Sequence, residues 1–224
     1  MIPIGDDNSG RRITPVVTSV LIALNFLVFF LELNNGEAFI ERWAFVPSRF
    51  LADPVGDLVT VFSSMFMHAG WVHLLGNMLY LWIFGDNVED RLGHGLFLGF
   101  YVLCGLGATF AQMAFNVASN IPNLGASGAI AGVLGAYLVM FPRGRVNVLL
   151  GRMVTPMSAL MVIGFWIVLQ IFSQVSVFTA SSQTEGGGVA YMAHIGGFVA
   201  GVILAFLLGG NRRALPPRTS YRGY

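Results

Sequence analysis

Long apolar runs dominate this chain, separated by short polar or glycine-rich breaks. Six runs come near the 20 or so mostly apolar residues that a membrane-spanning helix needs. They cover residues 13–33, 71–88, 96–115, 126–141, 156–175 and 189–208, the fourth being short and rich in glycine. Each predicts a transmembrane helix. Residues 34–70 carry "FIERWAFVPSRFLADPVGDLVTVFSSMF", too apolar for a solvated linker. That pattern predicts short helices lying at the membrane interface, with Trp43 near the headgroups. Between the fifth and sixth runs, "SVFTASSQTEGGGV" is polar and glycine-rich and reads as a flexible connection. Residues 1–12 are polar and mixed in charge, and the run after them is too long, and lacks the A-x-A exit, for a cleavable signal peptide. The expected organisation is a cytoplasmic segment 1–12, a six-helix domain 13–209 and a basic cytoplasmic tail 210–224 that is disordered and able to touch anionic lipid. No internal repeat is evident.

Composition agrees with that pattern. Only 10% of the 224 residues are charged, where soluble domains carry about 25%, and the mean hydropathy is +0.72. The fold class expected is an all-α membrane protein. A net charge of +1 gives no pointer to nucleic acid. The single cysteine, Cys104, excludes an internal disulfide and reads as core filler. All twelve basic residues are arginines. With six spans, Arg11, Arg12, Arg91, Arg143, Arg145, Arg152, Arg212, Arg213, Arg218 and Arg222 fall on one side, leaving Arg42 and Arg49 on the other with most of the acidic residues. The positive-inside rule then places both termini in the cytoplasm. The absence of lysine and of a transit peptide fits a prokaryotic plasma membrane.

Polar residues inside the apolar runs carry the chemistry, because ionisable groups in a membrane cost roughly 3 kcal/mol each on insertion scales. The second run contains "HAGWVHLLGNMLY", in which His73 and Asn77 are four apart and share a helix face. Ser127 opens the fourth run, and His194 lies about five residues into the sixth. With both termini inside, all three runs begin on the outer side, so these groups lie at similar depth. Serine becomes a nucleophile when a base takes its proton, and histidine is the usual base near neutral pH. Ser127 and His194 make a dyad on that reading. No acidic residue is found at that depth, so no third member is expected. An oxyanion could be held by the N–H of Ser127, which at a helix start lacks an intrahelical partner, and by the side chains of His73 and Asn77.

Glycines explain how a short serine side chain could reach a histidine on another helix. Gly128 and Gly132 form one G-x-x-x-G; Gly197 and Gly201 form another, on one stripe with His194. Small residues let helix backbones approach closely. Taken singly, each feature has an ordinary explanation: packing for the glycines, a backbone hydrogen bond for the serine, an interhelical bond or a proton path for the histidine. Their coincidence at one depth is what singles them out.

This constellation resembles the rhomboid family of intramembrane serine proteases. The residues carrying the resemblance are G-A-S-G at Gly125 to Gly128, H-x-x-x-x-H-x-x-x-N at His68, His73 and Asn77, and A-H-x-x-G at Ala193, His194 and Gly197, with "GDNVEDRLGH" placing Glu89 and Arg91 at familiar cytoplasmic positions. The resemblance implies a compact six-helix bundle with a long first loop half in the outer leaflet. It implies Ser127 as nucleophile, His194 as general base, and an oxyanion hole of Ser127 N–H, His73 and Asn77. Gly125 would position the loop entering the fourth helix, and His68 would be a hydrogen-bonding structural residue. The fifth span and the loop after it would form a lateral gate and cap. Substrates would be single-span membrane proteins, cut where the transmembrane helix unwinds easily. Two departures stand out. Many members carry Trp-Arg in the first loop where Val59 and Thr60 stand here, and some place a tyrosine, stacked on the catalytic histidine, where Ala131 stands here.

Other classes fit less well. A zinc protease would need H-E-x-x-H, which is absent. An aspartyl protease needs two intramembrane carboxylates, and Asp86 has no partner in another span. A channel or transporter should show coupled charges or broken helices in repeated halves. The main alternative is a non-catalytic rhomboid-like protein that binds or sorts membrane proteins; such relatives lose the serine or the histidine. No cofactor or metal is expected, and the partners expected are transmembrane substrates and the lipid bilayer.

Overall fold

The computed structural model describes residues 2–179 and 190–209. The glycine-rich stretch 180–189 and the basic tail 210–224 lie outside the described residues. In chain order the elements are β1 (Ile2–Asp6), α1 (Val16–Asn35), α2 (Glu37–Trp43), α3 (Pro47–Ala52), α4 (Leu58–Ser63), α5 (Trp71–Tyr80), α6 (Asp86–Leu92), α7 (His94–Phe115), α8 (Ser127–Met140), β2 (Arg145–Leu150), β3 (Met153–Ser158), α9 (Ala159–Thr179) and α10 (Tyr191–Leu207). A 3₁₀ turn, Ser64–Phe66, follows α4, and a π-helical turn, Leu81–Gly85, joins α5 to α6.

Among the described residues, α1, α7 and α9 are long and apolar enough to cross a membrane. The α4 segment through Phe66 and the α5–α6 rod pass the same test together but are bent by 84°, so they count as a fourth span only if taken as one. The other two expected spans, α8 and α10, are apolar but only 14 and 17 residues long. By length and composition, three helices, or four with the bent pair, qualify as spans, as in an integral, multi-pass membrane protein. Region 34–70 does contain short helices, α2 to α4, as its mixed pattern predicts.

α8 is the centre of the bundle. Every residue from Gly128 to Tyr137 is buried, as is Met140. It packs on α7 and α10, and glycine makes this possible. A Cβ on Gly197 would overlap the Gly128 carbonyl, and one on Gly201 would overlap the Gly132 backbone. On the α7 side, a Cβ on Gly132 would overlap Cys104, which is fully buried. Two helices in backbone contact gain dispersion energy along the seam without ordering long side chains.

One end of the bundle carries a polar lattice. Glu89 of α6 accepts hydrogen bonds from the N–H groups of Val17 (2.8 Å) and Thr18 (2.7 Å) and from the Thr18 hydroxyl (2.6 Å). Asp90 accepts from the N–H groups of Arg12 (2.6 Å) and Ile13 (2.8 Å). These carboxylates satisfy donors at and before the start of α1, where Pro15 offers no side-chain cap. Arg11 pairs with Asp86 at 2.7 Å.

An antiparallel sheet, ordered β1-β2-β3, caps this same end. β1 pairs Ile2 with Leu149 and Asp6 with Val146, while β2 and β3 form a hairpin from Arg145↔Ser158 to Leu150↔Met153, turned at Gly151 (φ +61°). No strand was expected here. The fifth helix accordingly starts at Ala159, after β3, rather than at residue 156.

Asp6 ties the sheet to the bundle by accepting from Tyr137 Oη (2.8 Å) and Asn87 Nδ2 (2.7 Å). Burial pushes its carboxyl up to about 7, against the lowering effect of the Tyr137 bond and with Asp86 and Asp7 adding repulsion. The folded state thus holds a proton that the unfolded chain, with an ordinary aspartate, gives up near pH 4. The stability this supplies is complete at low pH and is lost as pH rises through about 7. Thermal unfolding between pH 5 and 8 should show the midpoint falling with pH, and Asp6→Asn should flatten that slope. An unchanged slope in the variant would remove Asp6 as its source.

Candidate active site

Ser127 is the first residue of α8, and the loop before it is held by the segment between α2 and α5. Phe45 and Asn123 exchange backbone hydrogen bonds of 3.2 and 2.7 Å, and Gly125 N–H donates to the Ser64 carbonyl at 2.8 Å. Gly125 adopts φ +136°, a conformation that favours glycine, and an added Cβ would lie 3.0 Å from His73 Cε1. The His73 imidazole therefore sits against the turn that presents the serine.

His194 is in the first turn of α10, which lies parallel to α8 across the glycine seam. Its Nε2 is 2.8 Å from Ser127 Oγ. The ring is buried at 9% exposure, whereas Ser127 is half-buried. The other ring nitrogen, Nδ1, lies 2.8 Å from Gln170 Oε1 on α9. Trp166, one turn earlier on α9, places its indole 5.6 Å from the imidazole, tilted by 37°. α9 thus supplies two of the ring's neighbours, Gln170 and Trp166. Neither Gln170 nor Trp166 belongs to a sequence motif, and the sequence reading named neither.

Asn77 is one turn beyond His73 on α5, half-buried, with Nδ2 3.0 Å from His68 Nε2. One amide hydrogen of Asn77 is committed to His68 and the other is left for the site. His68 is buried and stacks edge-on with His73, ring centroids 5.0 Å apart. Its backbone N–H donates to the Glu32 carboxylate of α1 at 3.0 and 3.2 Å. Glu32, read from sequence only as an outer-side charge, is 5% exposed and fixes the loop that carries His68.

The first loop, which lacks Trp-Arg at Val59 and Thr60, is fastened by Arg49 instead. Its guanidinium pairs with Asp57 at 2.8 Å and donates to the Glu41 and Ala44 carbonyls. A small cavity of about 40 Å³ adjoins Ser127, bounded also by Gly125, Leu124, Gln112 and Ala193. Among the described residues, no group of three or more histidine, cysteine or acidic side chains is arranged to hold a metal ion.

Ser127 Oγ thus meets an imidazole nitrogen at the head of two helices in backbone contact, with the His73 ring against the turn before it. The Rhomboid domain family profile matches residues 55–211, and the chain belongs to the rhomboid family. It is similar to Rhomboid protease GluP of Bacillus subtilis, 33% identical over 197 residues, which is 87% of this chain and 35% of that protein. Rhomboid protein 1, mitochondrial, of Saccharomyces cerevisiae is 27% identical over 84% of this chain and 52% of its own length. Rhomboid-like protein 11, chloroplastic, of Arabidopsis thaliana is 28% identical over 65% of this chain and 51% of its own length. The chain spans between about a third and a half of the length of these relatives. Since they come from a bacterium, mitochondria and chloroplasts, the expectation of a prokaryotic plasma membrane gains no support from them.

Proposed function

We propose that this chain is an intramembrane serine endopeptidase that cleaves the transmembrane segments of single-span membrane proteins. The observation that carries this reading is the 2.8 Å hydrogen bond between Ser127 Oγ and His194 Nε2 in a member of the rhomboid family. Ser127 Oγ attacks the scissile carbonyl carbon while its proton passes to His194 Nε2. The oxyanion is held by the Ser127 N–H, at the start of α8 where it has no intrahelical acceptor, and by His73 and Asn77. On collapse, the proton on His194 Nε2 passes to the leaving amine, and an ester to Ser127 remains. Water attacks this ester with His194 again as base, releasing the new carboxylate.

In the same reading the chain crosses the bilayer six times, with both termini cytoplasmic. α8 is roughly 21 Å long at 1.5 Å per residue, shorter than the hydrocarbon core of about 30 Å. Its cytoplasmic end meets the Asp6–Tyr137 contact, so Ser127 lies below the outer surface, in reach of a substrate segment that has unwound. The distribution of arginines supports this orientation. Gly128, Gly197 and Gly201 keep α8 and α10 close enough for the dyad, and Gly125 and His68 shape the loop around it.

A fluorophosphonate probe tests the reading on purified protein in detergent or liposomes. Wild type should be labelled, and Ser127→Ala and His194→Ala should not. Equal labelling of the Ser127→Ala variant would refute the nucleophile assignment. Absence of labelling and of cleavage in folded wild type would favour the non-catalytic, membrane-protein-binding alternative.

A further inference from the structure

We propose that Gln170, on α9, is a positioning residue that holds His194 in the one neutral tautomer able to act as a base toward Ser127, so that basicity at the dyad depends on how α9 is docked. The proposal rests on the serine-protease reading and adds to it a residue on a third helix.

An imidazole that accepts the serine proton at Nε2 must carry its own proton on Nδ1. His194 Nδ1 lies 2.8 Å from Gln170 Oε1, an acceptor and not a donor. The amide nitrogen of Gln170 is turned the other way, 3.5 Å from the Trp166 carbonyl one turn back on α9. With that orientation, Nδ1–H donates to Gln170 and Nε2 presents its lone pair to Ser127 Oγ. A reversed amide would donate to Nδ1 and put the ring proton on Nε2, where it would point at the serine and remove the base. Among the described residues, no carboxylate pairs with His194, so the amide is what selects the tautomer. Trp166 limits ring rotation by lying against it at 5.6 Å.

Both contacts come from a single helix, and it is the least embedded of the long ones. In their most apolar stretches, 28% of α1, 33% of α7 and 17% of α9 is buried. The α9 faces turned outward carry Phe165, Val168, Leu169 and Phe172, all exposed. At the other end, α9 continues directly from β3, which is fastened to the sheet. An outward tilt of α9 about that fastened end would withdraw Gln170 from Nδ1 while leaving the α8–α10 seam intact. The serine–histidine pair would then persist with its tautomer unselected.

The test uses the full chain, a model transmembrane substrate, kcat and KM measured separately, and ¹⁵N NMR of the ring nitrogens, which is tractable with four histidines. In wild type, His194 should carry its proton on Nδ1. Gln170→Leu, close in volume, should lower kcat roughly 10- to 100-fold, because a misassigned tautomer disables the base, should leave KM within about twofold, as expected when ground-state binding is untouched, and should populate the Nε2–H form. Gln170→Glu retains an acceptor and adds a charge that favours imidazolium, so activity should return and the acid limb of the pH profile should rise by about one unit. The proposal is overturned by a wild-type Nε2–H tautomer, or by Gln170→Leu with unchanged kcat. If Gln170→Leu does not fold, the acid limb of Gln170→Glu decides, and an unmoved limb overturns the proposal. Should wild type fail to cleave any substrate or take the probe, the protease reading falls, while the NMR tautomer still decides the role of Gln170.

Discussion

Replacing Ser127 with alanine is expected to lower peptide-bond hydrolysis by roughly 10⁴-fold or more, the range seen when a nucleophile is removed from a cooperating set. The loss has a specific signature. Ser127 and His194 act on one proton, so the double variant Ser127→Ala/His194→Ala should be no slower than either single one. Residual activity would come from substrate binding and from the Ser127 N–H, a backbone group that alanine retains. Folding should hardly change. The variant loses one hydrogen bond to a buried imidazole, worth about 1 kcal/mol, which shifts a midpoint by about 2–4 °C for a chain this size. Turnover of a model substrate and a melting curve on the same preparation check both halves. Additive losses in the double variant would show that the two residues do not act as a unit, and an active Ser127→Ala would move the nucleophile elsewhere.

The second large effect concerns the seam. Gly201→Val should destabilise the protein by about 3 kcal/mol or more and abolish probe labelling with it. Even the first added carbon overlaps the Gly132 backbone, and a backbone inside a buried helix cannot step aside as a flexible side chain can. α10 must move away from α8, and the 2.8 Å Ser127–His194 bond crosses that same pair of helices. Gly164 on α9 provides the control. A Cβ there meets nothing within 4 Å, so Gly164→Ala should melt no lower than wild type and should gain slightly from helix propensity. A Gly201→Val protein that melts with wild type and labels normally would mean that the seam is looser than described.

Much of this arrangement was legible from apolar periodicity and a few out-of-place polar residues. α8 begins at Ser127 within one residue of expectation because a glycine-rich loop gives way to a continuous small apolar run. His194 was conspicuous for the same reason, as an ionisable group in an apolar stretch. The sheet was missed. β1 is five residues long with a proline, and its partner strand is more than 130 positions away, so no local pattern announces it. The hairpin did carry a period-two signal, with Val146 and Val148 buried and Gly151 at the turn, but its arginines had been read for membrane orientation alone. Glu32 looked like an outer charge because burial depends on where residue 68 folds back. Gln170 could not be singled out, because one amide in an apolar helix is ordinary until α10 packs beside it.

The glycine seam also limits how this sequence can recover from damage. Genetic suppressors of an overpacked contact often arise at the residue touched, which becomes smaller. Here the residues touched are Gly128 and Gly132 themselves, and glycine has no side chain left to remove. A suppressor of Gly201→Val or Gly197→Val cannot lie at the contact; it must sit in a neighbouring layer and let a whole helix shift. Substitutions at these positions should therefore be the hardest in the chain to rescue in a suppressor screen, harder than changes at large buried residues such as Phe97 or Leu134, where a neighbour can adjust.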